Sequence, residues 1–358
     1  MGYLREYVEG IMRGEKGGIV SSLLFILSLF YGLVQKGRAF LYKKGLIRVK
    51  RIGSMVISIG NITVGGTGKT PAVIAIAEVG KEKGFKVAIL TRGYGGKAKG
   101  INPVTDGTNI LLGFIDAGDE PYLMAKKLHG VSIVKGKDRH LSARLAMERF
   151  GSNLFILDDG FQHLKLNRDM NILLIDATDP FGNGYLFPRG ILREPLTAMR
   201  RADIVVLTKS DMSKKNLGII DKIRRYNPSA PIFFSYYRPL DLVNIRGDIM
   251  SIEDIKGKAL FLFSGLASPS SFRPLVERYG ARIISELTYP DHFYYSKEDI
   301  DNIKEKASGL GADMLVTTEK DIVRIPNSES QTQIYALRIE FVIEDKERWE
   351  DLLFRKGN

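Results

Sequence analysis

No cysteine occurs among the 358 residues. Disulfides, thiolate metal sites and cysteine nucleophiles are therefore excluded, which fits a reducing compartment. Internal repeats, low-complexity stretches and RNA- or DNA-binding motifs are absent too, so no nucleic-acid partner is expected. A cleavable secretory leader is poorly represented. The region ahead of the first apolar stretch is long and carries Glu6, Glu9 and Glu15, and no small-residue cleavage site follows. What remains is an ordinary globular composition, 44% hydrophobic and 26% charged, long enough for two domains or one large one.

The net charge of +12 favours anionic partners. Half of that excess lies in residues 1–50, where nine Lys/Arg face three Asp/Glu. The same region holds 19 uncharged residues between Lys16 and Lys36, a length at the border of a membrane span. Ser21, Ser28, Gly32 and Gln35 fall on one side of a helix, and Leu23, Ile26, Leu27, Phe30 and Leu33 on the other. Arg38, Lys43, Lys44, Arg48 and Lys50 follow. This asymmetry points to a helix lying in or shallowly inserted into an anionic lipid surface. The alternative is a buried core helix capped by a basic loop.

From residue 53 onward, short apolar runs alternate with helical patterns. The runs Met55–Ile59, Val87–Thr91, Val131–Val134, Leu154–Leu157, Ile172–Ile175 and Ile204–Leu207 predict strands, with helices over Pro71–Gly84 and Leu141–Phe150. Such runs, rich in Val, Ile and Leu, imply a largely parallel sheet covered on both faces. The stretch 237–248, with Pro239 and Gly247, reads as a linker. Beyond it the pattern resumes, with strands at Ala259–Phe263, Arg282–Ser285 and Met314–Thr317 and helices at Ser271–Tyr279 and Lys297–Leu310. The expected organisation is an N-terminal membrane-associated segment (1–50), a P-loop core (51–236), the linker, and a second, smaller α/β lobe (249–358), with a ligand cleft between the lobes.

The strongest motif is Gly60-Asn61-Ile62-Thr63-Val64-Gly65-Gly66-Thr67-Gly68-Lys69-Thr70-Pro71, lying between a predicted strand and a predicted helix. Gly65, Gly66 and Gly68 let the backbone curl so that N–H groups meet phosphate oxygens, and the helix N-terminus adds a favourable dipole. Together with Thr67 they form the expected nucleotide-binding loop. Lys69 would reach the β- and γ-phosphates of ATP and Thr70 would offer its hydroxyl to Mg²⁺. One departure is Thr63, where the usual pattern has glycine. The loop also resembles that of partition-type ATPases, but Val64 stands where those carry their signature lysine. The bland reading is a glycine-rich turn with a solvent-facing lysine.

Downstream, Leu154–Leu157 runs into Asp158-Asp159-Gly160-Phe161-Gln162-His163, an apolar strand ending in carboxylates of the kind that supports Mg²⁺ beside a P-loop. Adjacent strand residues point opposite ways, so only one acid should face the metal unless the strand ends there. An acidic turn is the alternative. Asp119, in Gly118-Asp119-Glu120-Pro121, reads alone as a helix N-cap, and His292, in Tyr289-Pro290-Asp291-His292, as a surface histidine. As a pair they would make a base and its orienting partner. Thr208-Lys209-Ser210-Asp211 resembles the guanine-reading N-K-x-D, with Thr for Asn, and equally a strand-end turn.

Taken in order, these motifs resemble the tetraacyldisaccharide 4′-kinase family, inner-membrane enzymes of lipid A biosynthesis. So do Thr91-Arg92-Gly93-Tyr94-Gly95, Pro188-Arg189-Gly190 with Leu192-Arg193-Glu194-Pro195, and Thr317-Thr318-Glu319-Lys320-Asp321. The resemblance runs to about Arg324. It implies that Asp119 takes the proton of a sugar 4′-hydroxyl with His292 supporting it. It implies that Asp158, Asp159, Gln162 and Glu194 surround Mg²⁺-ATP with Thr70 near the metal, and that Arg92, Tyr94, Arg139 and Arg193 line the phosphate and lipid-headgroup region. It also implies an anionic acylated disaccharide substrate, a docking helix on the cytoplasmic face of the inner membrane, lobes that close over ATP, and no obligate protein partner. A rival reading is a switch NTPase that passes phosphate only to water, and a second is a membrane-bound nucleotide-binding scaffold without chemistry.

Overall fold

The structure, a computed structural model, describes residues 2–213, 216–266, 269–326 and 334–354, with side chains from residue 7 onward. The last four residues of the expected second lobe lie outside the described residues. Two helices open the chain, α1 (Gly2–Arg13) and α2 (Ile19–Lys43). Then come β1 (Met55–Gly60), α3 (Lys69–Glu82), β2 (Val87–Thr91), β3 (Asn102–Thr105), α4 (Phe114–Ala117), α5 (Asp119–Lys127), β4 (Ser132–Lys135), α6 (Arg139–Phe150), β5 (Leu154–Leu157), β6 (Met170–Asp176), β7 (Ile204–Thr208) and α7 (Asn216–Tyr226). The remainder comprises β8 (Ile232–Asn244), β9 (Ile249–Ser251), β10 (Ala259–Ser264), α8 (Phe272–Glu277), β11 (Arg282–Thr288), α9 (Lys297–Gly309), β12 (Met314–Thr318), α10 (Glu319–Ile322), β13 (Ile334–Ile343) and α11 (Lys346–Leu353).

The chain forms two compact units. The first contains Met1–Thr91, Asp138–Tyr236 and Ile343–Asn358. Its strands run β8-β7-β6-β1-β5-β2, every neighbouring pair parallel. β1, β2, β5 and β7 are almost wholly buried, as unbroken Val/Ile/Leu runs require when helices cover both faces. The ends of α6 follow from local chemistry. Asp138 caps its first turn, accepting from the N–H groups of His140 and Leu141 at 3.0 and 3.1 Å, and Gly151 closes it in the left-handed region.

The second unit contains Arg92–Lys137 and Tyr237–Val342. Within it β11, β10, β12 and β13 are parallel neighbours in that order, β8 and β9 pair antiparallel, and β3 and β4 form an antiparallel pair. Its core gathers Phe261, Phe263, Tyr295, Ile300, Ile303 and Leu315. A capping box of Ser296 and Asp299 starts α9.

This division differs from the one read off the sequence. Arg92–Lys137 groups with the second unit because its side chains are tied there, for example Lys127 to Glu319 at 2.8 Å. The C-terminal helix α11 belongs to the first unit, where Trp349 meets Phe233 edge-on at 5.3 Å. The expected linker at 237–248 is a continuation of β8 followed by a tight turn. Gly247 takes the left-handed conformation there, and the Asn244 side chain accepts from the N–H groups of Arg246 and Asp248.

The first apolar helix, α2, is long and apolar enough to cross a membrane by length and composition. Ser21, Ser28 and Gly32 face inward, and the Ser28 hydroxyl is satisfied by the Phe25 carbonyl of its own helix at 2.7 Å. A Cβ at Gly32 would lie 2.7 Å from Leu186 Cδ1, so this face packs too closely for a larger residue. The opposite face leaves Leu23, Ile26, Leu27, Phe30 and Leu33 exposed, Leu33 by 70%. The two faces therefore fall where the heptad-like spacing placed them, and the buried-core alternative does not hold.

Close packing also fixes the end of β1. A Cβ at Gly60 would lie 2.7 Å from both the backbone nitrogen and the Cβ of Phe161. Gly60→Ala is therefore expected to destabilise the chain by about 1–3 kcal/mol through overpacking, read as a lower urea midpoint with unchanged slope.

Candidate active site

In the first unit, β1 delivers the glycine-rich loop and α3 leaves it at Lys69. Gly65 and Gly68 have φ of 117° and 79°, left-handed values that favour glycine. Thr63 shows why the missing glycine matters little. It forms an isolated bridge to Leu192, flanked by bonds from Val64 N–H to Ile191 O and from Arg193 N–H to Ile62 O, each 2.7 Å, and its φ is not left-handed. Position 63 is thus extended backbone held by the 191–193 segment, and a side chain is tolerated there.

Strand β5 ends at Leu157, so both acids lie past it. Asp158 is buried and accepts from the Thr91 hydroxyl at 2.9 Å. Asp159 adopts φ 49° and turns back over the loop, with Lys69 Nζ at 3.5 Å and Arg193 Nη1 at 2.9 and 3.0 Å from its two oxygens. Burial alone would raise the Asp159 pKa. The positive charges of Lys69 and Arg193 outweigh it and hold the carboxyl below the usual range. Lys69 also meets Asn61 Oδ1 at 3.3 Å. The Gln162 amide nitrogen donates to the Asn61 carbonyl at 2.7 Å and to Glu194 at 3.0 Å, and Arg201 pairs with the buried Glu194 at 2.8 Å. Thr70 sits in the first turn of α3, half-buried. Arg139 is only 4% exposed, with its guanidinium 3.4 Å from the Asp158 carbonyl.

The helix α2 reaches this constellation directly. The Tyr31 hydroxyl donates to the Arg193 carbonyl at 2.9 Å, and Arg38 donates to the Gln162 carbonyl at 2.7 Å. Sequence reasoning missed Tyr31, Arg38, Asn61 and Arg201. Tyr31 and Arg38 are 162 and 124 residues from their partners, and no local pattern joins residues that far apart.

In the second unit, Asp119 is the first residue of α5 and follows Gly118, whose φ is 94°. A Cβ on Gly118 would strike the Tyr94 carbonyl at 2.5 Å. His292, itself at φ 63°, places Nδ1 2.7 Å from Asp119 Oδ2. The Tyr94 ring lies 5.6 Å from the imidazole, and both Tyr94 and Arg92 are exposed. The structure therefore brings together the Asp119 and His292 that spacing alone did not pair. Of the four residues expected around the phosphate and headgroup, Arg92 and Tyr94 lie in the second unit and Arg139 and Arg193 in the first.

A supporting shell went unread. Arg324, almost fully buried, pairs with Asp119 and with Asp321 at 3.3 Å. Asp321 in turn accepts from Tyr295 Oη at 3.1 Å, Thr318 Oγ1 at 2.6 Å and Gly265 N–H at 3.0 Å. Lys320 bridges Glu120 and Asp291 at 2.9 and 3.1 Å. Burial would lift the Asp119 pKa. The hydrogen bond from His292 and the charge of Arg324 overcome this and leave it depressed. A depressed carboxyl contributes stability above its unfolded pKa, lost as pH falls through the folded value. Removing Arg324 leaves burial less opposed. In Arg324→Gln the Asp119 carboxyl, followed by ¹³C NMR, is therefore expected to titrate at higher pH than in wild type, and the acid loss of stability to begin at higher pH. An unmoved titration would show that Arg324 does not set it.

A model of the tetraacyldisaccharide-1-P 4′-kinase family, LpxK, matches residues 20–357. The tetraacyldisaccharide 4′-kinase of Desulfatibacillum aliphaticivorans is 39% identical over 99% of this chain and 99% of its own length. That of Syntrophus aciditrophicus is 40% identical over 92% of this chain and 91% of its own. Among solved structures, LpxK from Aquifex aeolicus in complex with ATP aligns with a TM-score of 0.76 at 33% identity, covering 94% of this chain and 99% of that one. Likeness of that extent, over nearly the whole chain, makes it a member of the tetraacyldisaccharide 4′-kinase family.

Proposed function

We propose that this chain transfers the γ-phosphoryl group of ATP to the 4′-hydroxyl of tetraacyldisaccharide 1-phosphate in lipid A biosynthesis. Besides family membership, the observation that carries the reading is the Asp119–His292 pair, a carboxylate held ionised at 2.7 Å from an imidazole. In the first unit, the loop Gly65, Gly66, Thr67 and Gly68 presents backbone N–H groups to the β- and γ-phosphates, and Lys69 adds a positive charge. Arg193, next to Lys69 over Asp159, balances charge on the transferring group. In the second unit, Asp119 accepts the proton of the 4′-hydroxyl as its oxygen bonds to phosphorus and the bond to the ADP oxygen breaks. His292 orients Asp119 and shares the charge. Arg92 and Tyr94 contact the anionic headgroup, while Arg139 acts through Asp158.

Thr70, Asp158, Asp159, Gln162 and Glu194 would hold Mg²⁺ through oxygen donors, the chemistry that a hard cation selects. To do so Asp159 would exchange its contacts with Lys69 and Arg193, and Glu194 its contact with Arg201. When bound it supplies charge neutralisation on the phosphate oxygens.

The exposed apolar face of α2 and the exposed basic residues Lys36, Lys43, Lys44 and Arg48 support docking on an anionic bilayer. We place it on the cytoplasmic face of the inner membrane, where ATP is available and basic flanks are favoured. An acyl-chain substrate leaves the bilayer at a cost of roughly 0.8 kcal/mol per CH₂, so its enzyme gains by working at the surface.

Transfer of labelled γ-phosphate to tetraacyldisaccharide 1-phosphate in detergent micelles tests the reading. A labelled bisphosphorylated lipid that forms only with Mg²⁺ is expected, and release of free phosphate at a rate indifferent to the lipid would overturn it. Asp119→Asn is expected to lower kcat by about 10²–10⁴, the range for a positioned base, and Lys69→Ala to remove most transfer. Near wild-type turnover by a folded Asp119→Asn variant would remove Asp119 from the mechanism. Charging the outer face of α2 with Leu27→Asp and Phe30→Asp is expected to abolish co-sedimentation with anionic vesicles while ADP binding persists.

A further inference from the structure

The segment Thr208-Lys209-Ser210-Asp211 is left unused by this chemistry. In a base-reading motif the lysine stem lies open beneath a nucleobase. Here Lys209 is 3% exposed, so that role is closed to it. The geometry points elsewhere. Lys209 has φ 55°, which non-glycine residues seldom adopt, and directs its ammonium to the Asp176 carboxylate at the end of β6 at 2.5 Å and to the Gly66 carbonyl at 3.3 Å. Asp176 is fixed in turn by the Thr178 N–H and hydroxyl at 2.9 and 2.6 Å. One residue earlier, the buried Thr208 hydroxyl donates to the Thr67 carbonyl at 3.1 Å and lies 3.4 Å from the Ile175 carbonyl.

Two consecutive carbonyls of the phosphate loop are thus held by the end of β7. A carbonyl and the N–H of the following residue share one rigid peptide plane and point opposite ways. Holding the Thr67 carbonyl toward Thr208 therefore aims the Gly68 N–H away from it. Holding the Gly66 carbonyl toward Lys209 fixes the plane that carries the Thr67 N–H, which in this structure lies 3.2 Å from the Gly65 carbonyl. A loop that binds phosphate through N–H groups needs its carbonyls turned back and satisfied, and this pair does both.

We propose that Thr208 and Lys209 are positioning residues that set the peptide planes of the phosphate-binding loop, and that their contribution is to nucleotide affinity and not to the stability of β7. The inference rests on ATP binding at this loop. ADP binding by the wild-type chain, measured by calorimetry, separates the two: if it is intact, only the role of the pair is at stake.

Three variants test it. Thr208→Val removes the donor at nearly constant volume, and Thr208→Ser restores it. The double variant Lys209→Met with Asp176→Asn removes both buried charges together, so that neither is left unpaired. Thr208→Val is expected to weaken ADP binding about fivefold, the worth of one hydrogen bond near 1 kcal/mol. Thr208→Ser should return it to wild type, and the double variant should weaken it about tenfold or more. KM for ATP should rise in step while kcat at saturating ATP stays unchanged, the pattern of interactions made equally in ground and transition states. ADP affinity within twofold of wild type in folded Thr208→Val and double variants would overturn the proposal. So would a lowered melting temperature with KM unchanged, or a loss in Thr208→Val that serine does not rescue.

Discussion

Parallel pairing of β1 with β5 on one side and β6 on the other organises the first unit. Ser58 lies opposite Leu157, Gly60 opposite Leu173, and Asp176 opposite Thr208 one strand further on. In a parallel sheet all carboxyl ends emerge on one edge, and ligands gather there. Four functional segments therefore converge without a single local signal linking them: the phosphate loop after β1, Asp158 and Asp159 after β5, Asp176 closing β6, and Lys209 after β7. The register depends on dense packing at the strand ends. Glycines at 60 and 160 let the chain past β5 approach β1, since a Cβ at either would lie under 3 Å from its neighbours. A side chain there would push the acids away from the glycine-rich loop.

The second unit solves a different problem, keeping a carboxylate ionised while partly buried. Asp119, Glu120, Asp291 and Asp321 lie near one another, and their mutual repulsion is offset by Lys320, Arg324 and the His292 hydrogen bond. Arg324 suits its position because a guanidinium stays charged when buried and spans two acceptors, whereas a lysine there would be free to lose its proton. Asp321 shows the limit of such compensation. It is the more deeply buried acid, and desolvation raises its pKa despite Thr318, Arg324 and Gly265. Asp119, with more exposure and His292 beside it, remains on the ionised side. Two carboxylates sharing one arginine thus have opposite shifts.

Much of this was legible in the sequence. Buried parallel strands advertise themselves as Val/Ile/Leu runs, so Val87–Thr91 and Leu154–Leu157 were read to the residue and the glycine-rich loop was placed correctly between β1 and α3. β8 went unread, and 237–248 reads as a linker because Pro239 and Gly247 look like punctuation. Proline is nonetheless accommodated in the strand, where burial alternates from Phe233 to Pro239, but Phe233-Phe234-Ser235-Tyr236-Tyr237-Arg238-Pro239 does not alternate in polarity and carries no strand signal of its own. The grouping of Arg92–Lys137 with residues 237–342 was not readable, because it rests on ion pairs and hydrogen bonds between positions 173 to 212 residues apart. Residues that carry a motif could be singled out from their spacing. Those that act by holding a motif residue, such as Arg324, Arg201 and Tyr31, have no spacing rule to betray them.

The helix α2 joins these arguments, because the same segment meets opposite demands on its two faces. Its outward face is apolar and exposed, a cost in water that a lipid surface would relieve. Its inward face is small and polar, which lets the helix backbone approach the Leu186 segment closely. From that face Tyr31 and Arg38 bond to the backbone of Arg193 and Gln162, the two residues whose side chains engage Asp159 and Glu194. A helix that served only as a tether would need neither bond, and a flexible linker would hold it as well. Because the bonds go to main-chain carbonyls, they fix where residues 162 and 193 sit without consuming the side chains those residues turn toward the phosphate loop. The outward apolar face of α2 and the residues Gln162 and Arg193 therefore belong to one packed unit, and disturbing the inward face of α2 disturbs the position of Arg193 first.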